Sequence, residues 1–204
     1  MLKIHHAPRS RSMRVVWLAE ELGISYALVP VEMFSPAMKR PAYLAIHPLG
    51  KVPAIEDGDF VLWETTAILE YLAARHPDGE RLLPGAGTRA GALARQWMAY
   101  GENPLTVVMG EIAAHGGAMP EPMRVPALVE RGEAIASSLV GVVERALEDR
   151  PYILGDSFTA ADVMLGFGLS IARHLRHVDE RTPRVAGYLE RLEARPAHRR
   201  AASV

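Results

Sequence analysis

Two stretches of this chain crowd hydroxyl and charged side chains against a predicted helix start. One is Pro8-Arg9-Ser10-Arg11-Ser12, between a short strand-like run and an amphipathic helix; the other is Glu64-Thr65, which opens a later helix. A helix N-terminus offers free backbone N–H groups and the positive end of the helix dipole, so both places suit an anion. A serine hydroxyl in such a field favours a thiolate over its thiol. The chain contains no cysteine, so any thiol chemistry needs a thiol carried in by a small molecule. Moving a thiol pKa down from about 8.5 by about two units takes roughly 2.7 kcal/mol. One charge-assisted hydrogen bond plus a helix dipole supplies that much. Plainer roles exist for the same residues: Ser12 is the natural N-cap of its helix, and Glu and Thr both favour a first turn.

The elements that must position these residues change character along the chain. Leu2 to His6 reads as a strand, and Ser12 to Leu22 as a helix with Val15, Leu18, Ala19 and Leu22 on one face, closed by Gly23. Tyr26 to Val31 is again strand-like, and Pro41 to Ile46 suits one or two helical turns. Ala54 to Glu56 and Phe60 to Trp63 flank Asp57-Gly58-Asp59, a hairpin signal. Glu64 to His76 then reads as a helix. The order βαβ, short helix, ββ hairpin, helix predicts a small mixed sheet of the thioredoxin-like kind. Pro84-Gly85-Ala86-Gly87 reads as a linker, and only helical patterns follow it: Arg89 to Ala114, Met123 to Glu148, Ala160 to Leu175 and Thr182 to Ala194. The predicted architecture is therefore α/β plus all-α, a thioredoxin-like domain over residues 1–80 and a helical bundle domain over 86–204.

The segment His47 to Leu72, HPLGKVPAIEDGDFVLWETTAILEYL, resembles the glutathione-binding half of cytosolic glutathione S-transferases. So do SRSMRVVWLAEELGISY and FTAADVML, which extends the likeness over nearly the whole chain, toward bacterial, serine-type, theta/beta-like members. The resemblance implies a transferase that conjugates the glutathione thiolate to a small hydrophobic electrophile, with glutathione as co-substrate and no metal. It implies a cis Val52–Pro53 bond, with the Val52 backbone pairing with the cysteinyl part of glutathione. Glu64 would meet the ammonium, Thr65 the γ-glutamyl carboxylate, and Lys51 and His47 the glycyl carboxylate. Ser10 matches the family's active-site serine; Ser12, a backbone amide and the charge of Arg11 are the other candidates for holding the thiolate. A second-substrate pocket between the domains would take Ala7, Arg9, Trp97, Tyr100, Gly101, Asn103 and Pro104, although Trp97 and Tyr100 equally suit a helical core. A cytoplasmic homodimer with a two-fold interface is expected by the same resemblance. The same site also suits a glutathione-dependent isomerase or disulfide reductase, and the fold suits a non-catalytic glutathione-binding or regulatory protein.

Bulk properties fit a globular protein that seeks neither nucleic acid nor a membrane. Net charge is -1 over 204 residues, with 49% apolar and 23% charged side chains. No run approaches the roughly 18 apolar residues of a transmembrane helix, and the first residues do not read as a signal peptide. Thr159-Ala-Ala-Asp162 is a capping box, read as structural. Gly85 to Ala90 fits a nucleotide-binding pattern by letter but follows no strand. His5 and His6 point to opposite faces of a strand and cannot share a metal. The Arg-rich end, RRAASV, reads as a solvated tail.

Overall fold

A computed structural model describes residues 1–204, which divide into two compact units, Met1–Leu83 with Ala194–Val204, and Pro84–Glu193. The first unit opens with β1 (Leu2–His6), α1 (Ser12–Leu22) and β2 (Tyr26–Pro30). A 3₁₀ turn at Pro36–Lys39 and the short α2 (Pro41–Leu44) lead to β3 (Ala54–Asp57), β4 (Phe60–Trp63), α3 (Thr65–Arg75) and the single turn α4 (Gly79–Leu82). The sheet order is β2-β1-β3-β4. β1 and β2 are parallel, with Ile4 opposite Leu28, whereas β3 runs antiparallel to both β1 and β4. A parallel pair needs a crossover, and α1 supplies it. Its face of Val15, Leu18 and Ala19 is wholly buried, together with Ile4, Ile55, Ile68 and Leu69. The expected hairpin is present, with Gly58 at φ 67° in its two-residue turn.

The second unit is entirely helical: α5 (Arg89–Tyr100), α6 (Val107–Ala113), α7 (Pro126–Ala146), α8 (Ala160–His174) and α9 (Pro183–Glu193). The helix read as continuous from Arg89 to Ala114 is in fact interrupted. Between α5 and α6 a π-type turn, Gly101–Thr106, carries the cis Asn103–Pro104 bond and an extended Asn103 at φ -129°. Proline has no N–H to continue the ladder, and its ring excludes the carbonyl one turn earlier. α8 is the central helix that its nearly continuous apolar sequence called for, buried from Ala160 through Leu169. The capping box at its start is formed: Asp162 accepts the Thr159 N–H at 2.7 Å, and also Ile153 N–H at 2.9 Å and the Tyr188 hydroxyl at 2.6 Å.

The C-terminal segment differs from the sequence reading. The solvated tail is a helix, α10 (Pro196–Ala202), which packs on α1 within the first unit and buries Ala197 and Ala201. His198 stands edge-on to Trp17 at 4.6 Å, and Arg200 donates to Glu20 at 2.5 Å. Ala197 and Ala201 are spaced one helical turn apart, and only the second lies in the run RRAASV, so that run alone shows too little of the apolar face to mark a helix. The helical unit accordingly ends at Glu193, and the first unit takes back residues 194–204 that the sequence reading had placed in 86–204.

Candidate functional site

Strand polarity gathers the predicted residues. β1 ends at His6, β3 begins at Ala54 opposite His5, and β4 ends at Trp63 opposite Ala54. The turn after β1, the segment before β3 and the helix start after β4 therefore emerge at one end of the sheet. Ser10, Val52 and Glu64-Thr65 share that end although they span more than fifty positions of sequence. The N-termini of α1 and α3 both lie there as well; the first N–H groups of α1 are taken by Ser10 Oγ, the Ser10 carbonyl and the Arg11 carbonyl, so α1 offers a ligand its dipole and α3 its N–H groups as well.

The turn Ala7 to Arg11 is tight, with Arg9 at φ 58° and Ser10 N–H donating to the Ala7 carbonyl at 3.3 Å. Ser12 is not the N-cap. It is the first residue of α1 and fully buried, because its hydroxyl is turned back onto β1. That oxygen accepts Ala7 N–H at 3.1 Å and lies 2.7 Å from Ser10 Oγ and 2.9 Å from His6 Nδ1. Ser10 Oγ takes the Ser12 N–H at 3.2 Å and is half-buried. Ser12 is sealed beneath Ser10, so only Ser10 presents its hydroxyl at the surface. Ala7 is buried beside them, Arg9 is exposed and Arg11 is half-buried.

Val52–Pro53 is cis, and both residues are buried. The ladder of β3 begins at Ala54, so the N–H and carbonyl of Val52 take no part in the sheet. Before them His47 to Lys51 is folded tightly: Gly50 N–H donates to the His47 carbonyl at 2.7 Å, and the Tyr43 hydroxyl donates to the Lys51 carbonyl at 2.8 Å. Gly50 has φ 58°, and a Cβ there would stand 2.1 Å from the Met38 carbonyl oxygen, so no other residue fits.

Glu64 adopts φ 76° and ψ 118°, a conformation that L-residues pay to hold, immediately before α3. Its side chain makes no cap bond and is exposed, whereas Thr65 is buried in the first turn. His47 is buried against the Trp63 ring, 5.4 Å away. Burial pushes the His47 pKa below its ordinary value; the Glu64 charge opposes this, and Lys51 and Lys39 reinforce it. One carboxylate and two ammonium groups therefore act at short range on a neutral imidazole. Lys39, whose Nζ donates to the Leu49 carbonyl at 2.8 Å, escaped the sequence reading because nothing local marks it. A ligand with an ammonium at one end and carboxylates at both suits this charge pattern.

The remaining predicted residues, Trp97 to Pro104, belong to the helical unit. Trp97 stands edge-on to Tyr100 at 5.5 Å, and the Tyr100 hydroxyl donates to the Leu139 carbonyl at 2.8 Å. Burial pushes the Tyr100 pKa up to about 12. Gly101 is buried where an added Cβ would stand 3.0 Å from the Met164 backbone, while Asn103 is exposed and Pro104 half-buried in the π-type turn.

The sequence profile of the family described as glutathione S-transferase, N-terminal domain matches residues 2–74, and that of the glutathione S-transferase C-terminal domain matches 126–191. Glutathione S-transferase 3 of Zea mays is 33% identical over 96% of this chain and 90% of its own length. Glutathione S-transferase PARB of Nicotiana tabacum is 31% identical over 96% of this chain and 94% of its own. The crystal structure of the theta class glutathione S-transferase from Xanthomonas axonopodis pv. citri, with glutathione bound, is 30% identical. It superimposes with a TM-score of 0.83 over 100% of this chain and 97% of that one.

Proposed function

Because this chain belongs to the glutathione S-transferase family, we propose that it conjugates the thiolate of glutathione to a small hydrophobic electrophile, at the sheet end where Ser10, Val52 and Glu64 converge. The observation that carries this reading is that convergence, with two helix N-termini and an unpaired backbone segment facing one place. The Val52 N–H and carbonyl pair with the cysteinyl residue as a strand would, fixing the register of the tripeptide. Glu64 binds the ammonium, and Thr65 with the α3 N-terminus binds the γ-glutamyl carboxylate. Lys51, Lys39 and His47 hold the glycyl carboxylate; His47, kept neutral by burial, acts as a hydrogen-bonding group rather than a third cation.

With both ends of glutathione held, its sulfur lies beside Ser10. The Ser10 hydroxyl donates to the thiolate, and the α1 N-terminus and the charge of Arg11 reinforce it. The fraction of thiolate at working pH sets the rate of attack. The electrophile meets that sulfur beside Ala7 and Arg9. Assembly as a homodimer and a cytoplasmic location belong to the same proposal; no helix is long and apolar enough to cross a membrane.

Isothermal titration with reduced glutathione tests the reading. The expected result is micromolar to low-millimolar binding, lost in Thr65→Ala with the fold intact by circular dichroism. Absence of binding at several millimolar overturns it. In Ser10→Ala, the bound glutathione pKa should rise; unchanged thiolate absorbance across a pH titration would remove Ser10 from its role.

A further inference from the structure

Beneath Ser10 lies a line of polar groups that the binding of glutathione does not use. Ser10 Oγ is 2.7 Å from Ser12 Oγ, Ser12 Oγ is 2.9 Å from His6 Nδ1, and His6 Nε2 is 3.1 Å from the Val204 main-chain oxygen. Ser12 and His6 are both buried. The Val204 main-chain oxygen accepts and does not donate, so it requires Nε2 to carry a proton. In a neutral ring Nδ1 is then an acceptor, and Ser12 donates to it. Burial holds the His6 pKa below its ordinary value, against the pull of the hydrogen bond to the Val204 main chain, so the ring is neutral and open to a proton when the site is empty.

Resting on the glutathione reading above, we propose that the thiol proton of glutathione passes through Ser10 and Ser12 to Nδ1 of His6. Each hydroxyl gives up one proton and receives one. The S–H bond breaks as its proton joins Ser10 Oγ, the Ser10 proton moves to Ser12 Oγ, and the Ser12 proton moves to His6 Nδ1. The product is a thiolate and an imidazolium, with both hydroxyls restored and their direction reversed. His6 now donates to Ser12, Ser12 to Ser10, and Ser10 to the sulfur. Every group has a partner in both directions, so neither state leaves a buried donor or acceptor unpaired. The Val204 main-chain oxygen accepts Nε2–H throughout, and the negative sulfur offsets the cost of a buried imidazolium in a medium of low dielectric.

No Asp or Glu side chain lies in the line to take the proton instead. The charged groups on the elements packed around His6 are Arg14, Glu20 and Glu21 on α1 with Arg11 just before it, Glu56 and Asp57 on β3, and Arg199 and Arg200 with the titratable His198 on α10; Glu20 and Glu21 are engaged by Arg200 and Arg195. His5, next in sequence, faces the other side of the sheet and bonds Glu56 at 2.9 Å. Once the sulfur forms its bond to carbon the negative charge is gone. The imidazolium then returns its proton outward along the same hydroxyls, to the carbanion or leaving group formed on the electrophile.

The test compares thiolate formation with proton release when glutathione binds, at a pH between the ordinary values of histidine and a thiol, about 6.5 and 8.5. Thiolate is read by its ultraviolet absorbance, and proton release by titration calorimetry in buffers of different ionisation enthalpy. In the native protein the expected result is thiolate formation with close to no proton released, because His6 keeps it. In Ser12→Ala and in His6→Asn, the release should rise toward one proton per thiolate formed. Ring ¹⁵N spectra give a second readout: His6 becomes doubly protonated with glutathione and stays neutral with S-methylglutathione, which has no thiol proton. Thiolate formation with full proton release from the native protein overturns the relay and leaves the glutathione site standing. Failure to bind glutathione at all removes both.

Discussion

Arg195 grips Glu21 with two hydrogen bonds, Nε to Oε1 at 2.6 Å and Nη2 to Oε2 at 2.7 Å, across 174 positions of sequence. Glu21 also accepts the Trp17 indole N–H, one turn earlier on α1, at 3.0 Å, so one largely buried carboxylate is shared between its own helix and the Arg195 segment. The pair anchors the last segment of the chain against the helix whose N-terminus faces the proposed thiolate.

Loss of this pair should be costly, because removing one partner leaves a desolvated charge behind. Arg195→Ala is expected to destabilise the protein by about 2 kcal/mol, a value moderated by the partial exposure of Arg195. Arg195→Lys should recover less than half of that, since an ammonium cannot reproduce the two-pronged contact. Urea unfolding of both variants checks the order.

Glu64 illustrates stability given up for a site. Its φ of 76° belongs to conformations that cost a non-glycine residue about 1–3 kcal/mol. Glu64→Gly should therefore leave stability unchanged or raise it by about 1 kcal/mol, while glutathione affinity falls. A variant that loses both would show that the Glu64 side chain supports the fold rather than the ligand.

The helical unit depends on Asp162 as a buried hub. Its two oxygens serve Ile153 N–H, Thr159 N–H, the Thr159 hydroxyl and the Tyr188 hydroxyl. Asp162→Ala would strand these donors, and a loss of about 3–5 kcal/mol is expected. Thermal unfolding followed by calorimetry would measure it, and a loss below about 1 kcal/mol would refute the hub.

Acid should release the C-terminal helix through Glu20. Burial raises the Glu20 pKa, but hydrogen bonds from Tyr26 and Arg200 outweigh it and hold the carboxyl below its ordinary 4.5. The folded value is the lower one, so this contribution is full above 4.5 and disappears as pH falls through the folded value. Hydrogen exchange of residues 196–202 should accelerate over that interval, and Glu20→Gln should remove the pH dependence.

The strands, the hairpin, the first helix and the central helix α8 were legible in the sequence, because each is set by local period and by turn residues such as Gly23 and Gly58. The candidate site was legible in part, and mostly by resemblance: Val52–Pro53 and Glu64-Thr65 sit in one short run, whereas periodicity says nothing about their ligand. Missing from that reading were contacts between residues distant along the chain. The break at Asn103–Pro104 depended on a proline whose effect on a helix varies with its surroundings.

Residue types alone determined that no thiol belongs to this protein, that two helix starts carry hydroxyls, and that one unit is mixed and the other helical. Tertiary structure alone decided that Ser12 is sealed under Ser10 and bonded to His6, that Lys39 and Lys51 act on His47, and that α10 returns to cover α1. Helix and strand periods act over a few residues and are written in order along the chain. Direction of a hydroxyl, neutrality of an imidazole and the partner of a late arginine depend on groups that only the fold brings within hydrogen-bonding distance.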